Sequence, residues 1–332
     1  MKKREVLLFF KRLSIFLSPF LLLILSFVII DPFKIISTYD DFNNSITALN
    51  PDYVSTEVYL KNREKEHYNS FIFGSSKTLA YKTREWKKYL SSQDVPFVFH
   101  ASYESLFGIT TKIEYIHSKG DQLKNVLIIL DQTVLFQTQN NYTHLGIKDP
   151  RTSGESKLVF YNTYFKAYLS NLFFVKSIDY ALFQKKRAYL NDVIASDETY
   201  YDPISNDLFP STLIQTSERI YRTPLTPVQK YDQPIIGAIQ VDMLERIRNV
   251  FREQKTNYKI IIGPQYNCYS LAPEDIKKLE TIFGKESIYD FSGVNTYTTN
   301  IHNYYDTWHY SIETGKNILR DIYIFNIHKK NY

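Results

Sequence analysis

Two rhythms of hydrophobic and polar positions organise this chain, and both follow a long apolar run. That run, LSIFLSPFLLLILSFVII at residues 13–30, carries no charge. As a helix it is about long enough to cross a hydrocarbon core of roughly 30 Å, and Pro19, near one end, is compatible with such a helix. A polar, mixed lead-in follows at 31–65, with Asn50-Pro51-Asp52 as a turn signal. From residue 66 onward, short apolar runs alternate with longer amphipathic stretches. The short runs are SFIF (70–73), PFVF (96–99), VLIIL (126–130), KIIIG (259–263) and ESIYDF (286–291). Most are continuous and rich in Ile, Val and Phe, which predicts strands buried on both faces of a parallel sheet. Helices are predicted between them at 78–92, 105–120, 238–254, 272–284 and 311–325. The one at 272–284 begins with Pro273 and Glu274 and stops at Gly284, good start and stop signals. The alternation predicts an α/β fold built on an open, doubly wound sheet of about five parallel strands.

Between about 135 and 235 the alternation breaks. Residues 157–187 are strongly aromatic and helical in pattern, and 196–235 carry Pro203, Pro210, Pro224, Pro227 and Pro234. This reads as a helical and irregular insertion between the third and fourth strands, above the edge of the sheet where ligands usually sit. Its aromatics suit a satellite core, a substrate-binding role or a surface resting on a membrane.

Charge changes the picture at one end only. The net charge is +5, and residues 1–12 supply most of it through Lys2, Lys3, Arg4, Lys11 and Arg12 against Glu5. The remainder is nearly neutral, which argues against a nucleic-acid partner. A cationic flank ahead of an apolar run predicts a cytoplasmic basic tail at 1–12, a transmembrane signal anchor at 13–30 and an extracytoplasmic domain beyond it. Asp31-Pro32-Phe33 follows the run in place of an Ala-x-Ala cleavage site, so the anchor reads as uncleaved. The expected location is the cell (inner) membrane, crossed once. With 44% hydrophobic and 23% charged residues the chain is globular in composition. A single cysteine, Cys268, excludes an internal disulfide or a thiolate metal cluster.

Two segments carry chemistry. In Phe71-Ile72-Phe73-Gly74-Ser75-Ser76-Lys77-Thr78 an apolar strand ends in Gly-Ser-Ser and a helix follows. A serine there stands at the carboxyl end of a strand and faces the positive end of a helix, which favours a developing oxyanion. The same position suits an N-cap serine. The second segment is Asn303-Tyr304-Tyr305-Asp306-Thr307-Trp308-His309-Tyr310-Ser311. A serine nucleophile needs a neutral imidazole to take its proton and a carboxylate to hold that imidazole's tautomer. Asp306 and His309, three apart in a turn, suit the second requirement, with Ser311 capping the final helix. His302, Asp306 and His309 match no strong zinc spacing, and no metal or other cofactor is expected. Lys77 reads as a solvated or helix-flanking lysine, or as a contact for an anionic substrate.

This order, strand–Gly-Ser-Ser–helix early and Asp-x-x-His late, resembles the SGNH (GDSL-like) hydrolase superfamily. It is closest to a membrane-anchored bacterial branch. There a segment like Tyr289-Asp290-Phe291-Ser292-Gly293 precedes a Tyr-Tyr-Asp-x-x-His-Tyr block, and Asp-Pro-Phe follows the anchor helix. The resemblance covers residues 66–332 apart from the insertion and implies a flavodoxin-like sheet. It implies Ser76 as nucleophile, with Ser75 in the place of the family's aspartate as second choice. It further implies His309 as general base, Asp306 as its orienting acid, and the Ser76 amide as an oxyanion donor. The family's glycine donor after the second strand corresponds to Ser105 or Gly108. After the third strand the family's Gly-x-Asn-Asp is absent and Leu130-Asp131-Gln132-Thr133 stands instead. There Gln132 offers a side-chain amide, and Asp131 a contact to a sugar hydroxyl.

The expected activity is that of an extracytoplasmic serine esterase or O-acyltransferase acting on acyl (acetyl) esters of a cell-surface glycan, with a membrane-bound acyl donor as a compatible partner. The alternative is a catalytically inactive glycan-binding or envelope-assembly module, which the missing asparagine favours and the joint presence of Ser76, Asp306 and His309 opposes.

Overall fold

The computed structural model describes residues 3–43, 45–185, 187–190, 200–209 and 228–325. In chain order its principal elements are helices α1 (Lys3–Ile30) and α2 (Pro51–Glu66), strand β1 (Ser70–Gly74), helix α3 (Thr83–Lys87), strand β2 (Pro96–His100), helix α4 (Leu106–Ser118) and strand β3 (Asn125–Leu130). Helices α5 (Gln132–Phe136), α6 (Lys157–Leu169), α7 (Phe173–Phe183) and α8 (Ala238–Gln254) follow. Strand β4 (Asn257–Ile262), helix α9 (Pro273–Phe283), strand β5 (Ile288–Asp290) and helix α10 (Ile312–Arg320) complete the set. The chain divides into two units. One comprises the described residues of 1–49 and 157–197, the other those of 50–156 and 198–332.

The second unit carries a five-stranded sheet in the order β2-β1-β3-β4-β5, with every neighbouring pair parallel. Alternate strand residues reach opposite faces. On one face Ile72, Val98, Leu127, Ile129 and Ile261 join Trp86 of α3 and Ile318 and Leu319 of α10 in one buried cluster. On the other, Tyr59 of α2 meets the rings of Phe71, Phe97 and Phe99, while Phe251 of α8 and Phe283 of α9 pack on Tyr258. Burial on both faces is why these strands read as unbroken apolar runs. The exposed side of β2 is closed by the 200–209 segment, where the Val98 amide donates to Ser205 O and Asn206 Nδ2 donates to Val98 O.

Where expectation and structure part, distant residues decide. The stretch 78–92 is not one helix. A 3-10 turn (Ser76–Ala80) ends at Tyr81, and α3 starts afresh at Thr83. Asp207, far along the chain, accepts the Thr83 amide and hydroxyl, and this side-chain cap restarts the helix after two extended residues. The lead-in contains α2, capped by Asn50, whose Oδ1 accepts the Asp52 amide; the division between units falls at Asn50 rather than after residue 65. The 135–235 stretch does not form one piece. Residues up to 156 belong to the sheet unit, whereas α6 and α7 belong with α1, and 191–199 and 210–227 lie outside the described residues.

In the first unit α1 is long and apolar enough to cross a membrane. At its end Asp31 accepts the amides of Ile35, Ile36 and Ser37 and the Tyr39 hydroxyl on its two carboxylate oxygens. This knot turns the chain and lays Phe33 against Tyr164 and Phe173.

Candidate active site

The carboxyl ends of β1, β2 and β3 stand level, with Gly74 opposite His100 on one side and Ile129 on the other. The strand order reverses between β1 and β3, the place where open parallel sheets leave a crevice. Gly74 has φ +153°, and a Cβ there would lie 2.8 Å from Ile129 O and 3.0 Å from Ile129 Cβ. Only glycine lets the chain leave β1 this close to β3. Ser75 is extended, and Ser76 opens the 3-10 turn.

On α10's side of the sheet, Ser311 caps that helix, its Oγ accepting the Thr314 amide. The preceding loop doubles back, with the Tyr305 amide donating to His309 O and Tyr304 bridged to Tyr310. Tyr310 is buried, its hydroxyl donating to Tyr81 Oη at 3.1 Å. Inside this turn Asp306 Oδ1 accepts the amides of Trp308 (2.7 Å) and His309 (2.8 Å), and Oδ2 lies 2.8 Å from His309 Nδ1. His309 Nε2 lies 2.8 Å from Ser76 Oγ. An ionised carboxylate only accepts, so His309 carries its proton on Nδ1, and its Nε2 lone pair accepts the Ser76 hydroxyl. Burial raises the Asp306 pKa, but the His309 ring and the two amides outweigh it and hold the carboxyl below its ordinary value. The structure thus brings Ser76, His309 and Asp306 together, while Ser75 turns its Oγ toward the Lys77 amide, 3.5 Å away.

The other candidates are placed differently. The Ser105 amide donates to Glu104 Oε1 at 2.9 Å, and Ser105 Oγ accepts the Gly108 amide at 2.9 Å as the cap of α4. Both amides expected to face an oxyanion are therefore engaged within α4's own start. A Cβ on Gly108 would fall 2.3 Å from Glu104 Oε1 and 2.7 Å from Lys148 Cε, so packing is what requires glycine there. Asp131 caps α5 through Oδ1 and pairs through Oδ2 with Lys77 Nζ at 2.6 Å. Lys77 is thus a half-buried partner of Asp131 rather than a solvated flank. Gln132 Nε2 donates to Gln233 O at 3.2 Å. The Ser76 amide, at the first position of its turn, makes no hydrogen bond among the described residues. Among those residues, too, no group of three or more His, Cys, Asp or Glu side chains is placed to hold a metal ion.

His100 is a feature that residue patterns alone do not single out. Thr78 Oγ1 donates to Ser75 O at 2.9 Å and lies 3.0 Å from His100 Nδ1. Nδ1–H therefore donates to Thr78, and the chain of bonds holds the Gly-Ser-Ser loop from beneath. The parallel register was the available signal, since it sets His100 opposite Gly74. Burial, with the nearby charges of Lys112 and Lys82, pushes the His100 pKa down to about 3. The unfolded histidine titrates near 6.5, so below that pH the unfolded chain binds a proton that the fold refuses. Stability should then fall as the pH is lowered, by up to about 1.4 kcal/mol per unit, or about 1.7 kcal/mol between pH 6.5 and 5. Denaturant midpoints at those two pH values check this. His100→Asn should remove most of the difference, and an unchanged acid dependence in that variant would show that other groups cause it.

Comparison with protein-family models, with curated proteins and with solved structures finds no match for this chain.

Proposed function

We propose that this chain is a membrane-anchored, extracytoplasmic serine esterase or O-acyltransferase of SGNH type acting on acyl esters of a cell-surface glycan. One observation carries the reading: Ser76 Oγ lies 2.8 Å from His309 Nε2 while Asp306 holds Nδ1 at 2.8 Å. That is hydrogen-bond reach for nucleophile, base and orienting acid together.

The chemistry follows from these contacts. Ser76 Oγ attacks the acyl carbonyl carbon as its proton passes to His309 Nε2, and the imidazolium is stabilised by Asp306. The Ser76 amide makes no hydrogen bond among the described residues, and in this mechanism it donates to the carbonyl oxygen as that becomes an oxyanion. Collapse breaks the ester C–O bond, and the departing alcohol oxygen takes the proton from His309. Water or a sugar hydroxyl then gives its proton to His309 as its oxygen attacks the acyl-Ser76 carbonyl, and when the C–Oγ bond breaks Ser76 Oγ takes that proton back from His309. Hydrolysis and transfer use the same residues. Trp308 is 74% exposed beside His309, and this apolar face suits the CH-rich side of a sugar ring.

A second reading, a glycan-binding or assembly module without turnover, is favoured by the engaged amides of Ser105 and Gly108 and by Asp131 where an amide donor would serve. A fluorophosphonate probe applied to the full-length chain in detergent separates the two. The expected result is one phosphonylated residue, Ser76, located by mass spectrometry and absent in His309→Ala. Modification at Ser75 would relocate the nucleophile. Folded protein that takes no label would favour the binding module.

A further inference from the structure

We propose that the α6–α7 hairpin lies on the bilayer at the end of α1 and sinks an apolar edge into it, so that the chain meets the membrane through a platform as well as a span. The inference rests on α1 being the anchor of the proposed function, and on nothing else in that reading.

Helix α6 is apolar on two sides. Phe160, Tyr164 and Tyr168 are buried within the unit, while Leu158, Tyr161, Phe165 and Leu169 form a second stripe at i, i+3, i+7 and i+11. On α7 the stripe continues through Val175, Ile178 and Leu182. Leu158 is 79% exposed, Leu172 in the connecting turn 63% and Leu182 71%. Asn162 and Lys166 are exposed on the side opposite the buried face, but the flank between the two sides carries leucine and aromatic side chains where a wholly water-facing helix carries polar ones.

What covers that edge follows from where the hairpin is fixed. Phe27, in the last turn of α1, packs on Phe165 and Tyr168 with ring centroids 5.4 and 5.2 Å apart. Tyr168 Oη donates to Ser26 Oγ at 3.0 Å. Phe33, just past the Asp31 knot, packs on Tyr164 and Phe173 at 5.2 and 5.4 Å. The uncharged run 13–30 is about 27 Å long as a helix, close to the roughly 30 Å hydrocarbon core. With Arg12 at one face of the bilayer the last turn of α1 reaches the other, and side chains packed on Phe27 sit close to headgroup depth. Composition agrees: residues 157–187 hold six basic residues (Lys157, Lys166, Lys176, Lys185, Lys186, Arg187) against Asp179 alone. Aromatic and aliphatic residues with flanking lysines suit an interface containing anionic lipid.

The test places an environment-sensitive fluorophore on cysteine at Leu158, Leu182 or Leu21 of the full-length chain, in a Cys268→Ser background. The protein is reconstituted in phosphatidylcholine vesicles with a minority of phosphatidylglycerol. Leu158 and Leu182 are exposed, so cysteine there disturbs no core. Labels at Leu158→Cys and Leu182→Cys should be quenched by nitroxide lipids labelled near the headgroup and protected several-fold from iodide. The label at Leu21→Cys should respond to nitroxide near the bilayer centre. If Leu21 responds while both hairpin labels remain open to iodide and silent to lipid nitroxide, the platform is wrong and the anchor stands. Hairpin labels shielded from both quenchers would mean that protein, such as a second copy, covers the edge, which also overturns the proposal. Failure of the Leu21 label to meet lipid would remove the anchor and the platform with it.

Discussion

Ser76→Ala should lower the turnover of a simple acyl ester such as p-nitrophenyl acetate by about 10⁴-fold or more, equivalent to roughly 5.5 kcal/mol of transition-state stabilisation. The loss follows from the proposed acyl-enzyme, because no other hydroxyl is held on His309 Nε2 among the described residues. His309→Ala should cost about as much. The double variant should be no slower than either single one, since residues of one proton-transfer unit do not act independently. Asp306→Asn is the sharper substitution. Its Oδ1 keeps the amides of Trp308 and His309, so the turn survives, but its NH₂ group then faces Nδ1. That forces the histidine proton onto Nε2, pointing it at Ser76, and the base loses its lone pair; a comparable loss of about 10⁴-fold is expected. Steady-state rates of the four purified full-length variants check these expectations. Ser76→Ala within tenfold of the unsubstituted protein would remove the acyl-enzyme reading, and full activity in Asp306→Asn would remove Asp306 from it.

The sheet is legible in the sequence because each strand is buried on both faces, so continuous runs such as Val126–Leu130 stand out against amphipathic neighbours. Helix starts with local side-chain caps are legible because cap and helix share one short segment: Ser105 and Ser311 act on amides three residues away. What fails to show is anything decided at long range. The break at Tyr81 and Lys82 depends on Asp207, 124 positions from Thr83. Ser76, Asp306 and His309 are visible as residue types in suggestive turns, but the approach of Ser76 to His309 spans 233 positions and is made by packing of α10 on the 3-10 turn. Gly315 of α10 is essential to it, since a Cβ there would lie 2.1 Å from Ala80 O. Ser105 and Gly108 look like amide donors in sequence because nothing nearby reveals that Glu104 points back over them.

The reason Glu104 does so leads to the largest expected stability effect, at Lys112. Asp52 of α2, Glu104, Lys112 of α4 and Lys148 are all fully buried. Lys112 Nζ lies 2.5 Å from both Asp52 Oδ2 and Glu104 Oε2, and Lys148 Nζ is 2.9 Å from Glu104 Oε1. Two cations and two carboxylates close the set. Burial opposes the charge on Lys112, but the two carboxylates outweigh it and keep its pKa raised; Glu104 is held low against its own burial by Lys112 and Lys148. Lys112→Met keeps the length of the side chain and removes one cation, leaving a buried carboxylate without its partner. Breaking a buried pair in this way costs about 3–5 kcal/mol, a large part of the roughly 5–15 kcal/mol that holds a typical fold. The denaturant midpoint should fall sharply when followed through Trp86, which is buried in the sheet unit. Adding Glu104→Gln to Lys112→Met restores charge balance and should recover part of the loss, because it is the orphaned charge rather than the missing ion pair that destabilises. A Lys112→Met protein within about 1 kcal/mol of the original would mean that water reaches the set. Glu104 would then be free to release the Ser105 amide, which would no longer count toward the binding-module reading, while the Gly108 amide would stay on Ser105 Oγ.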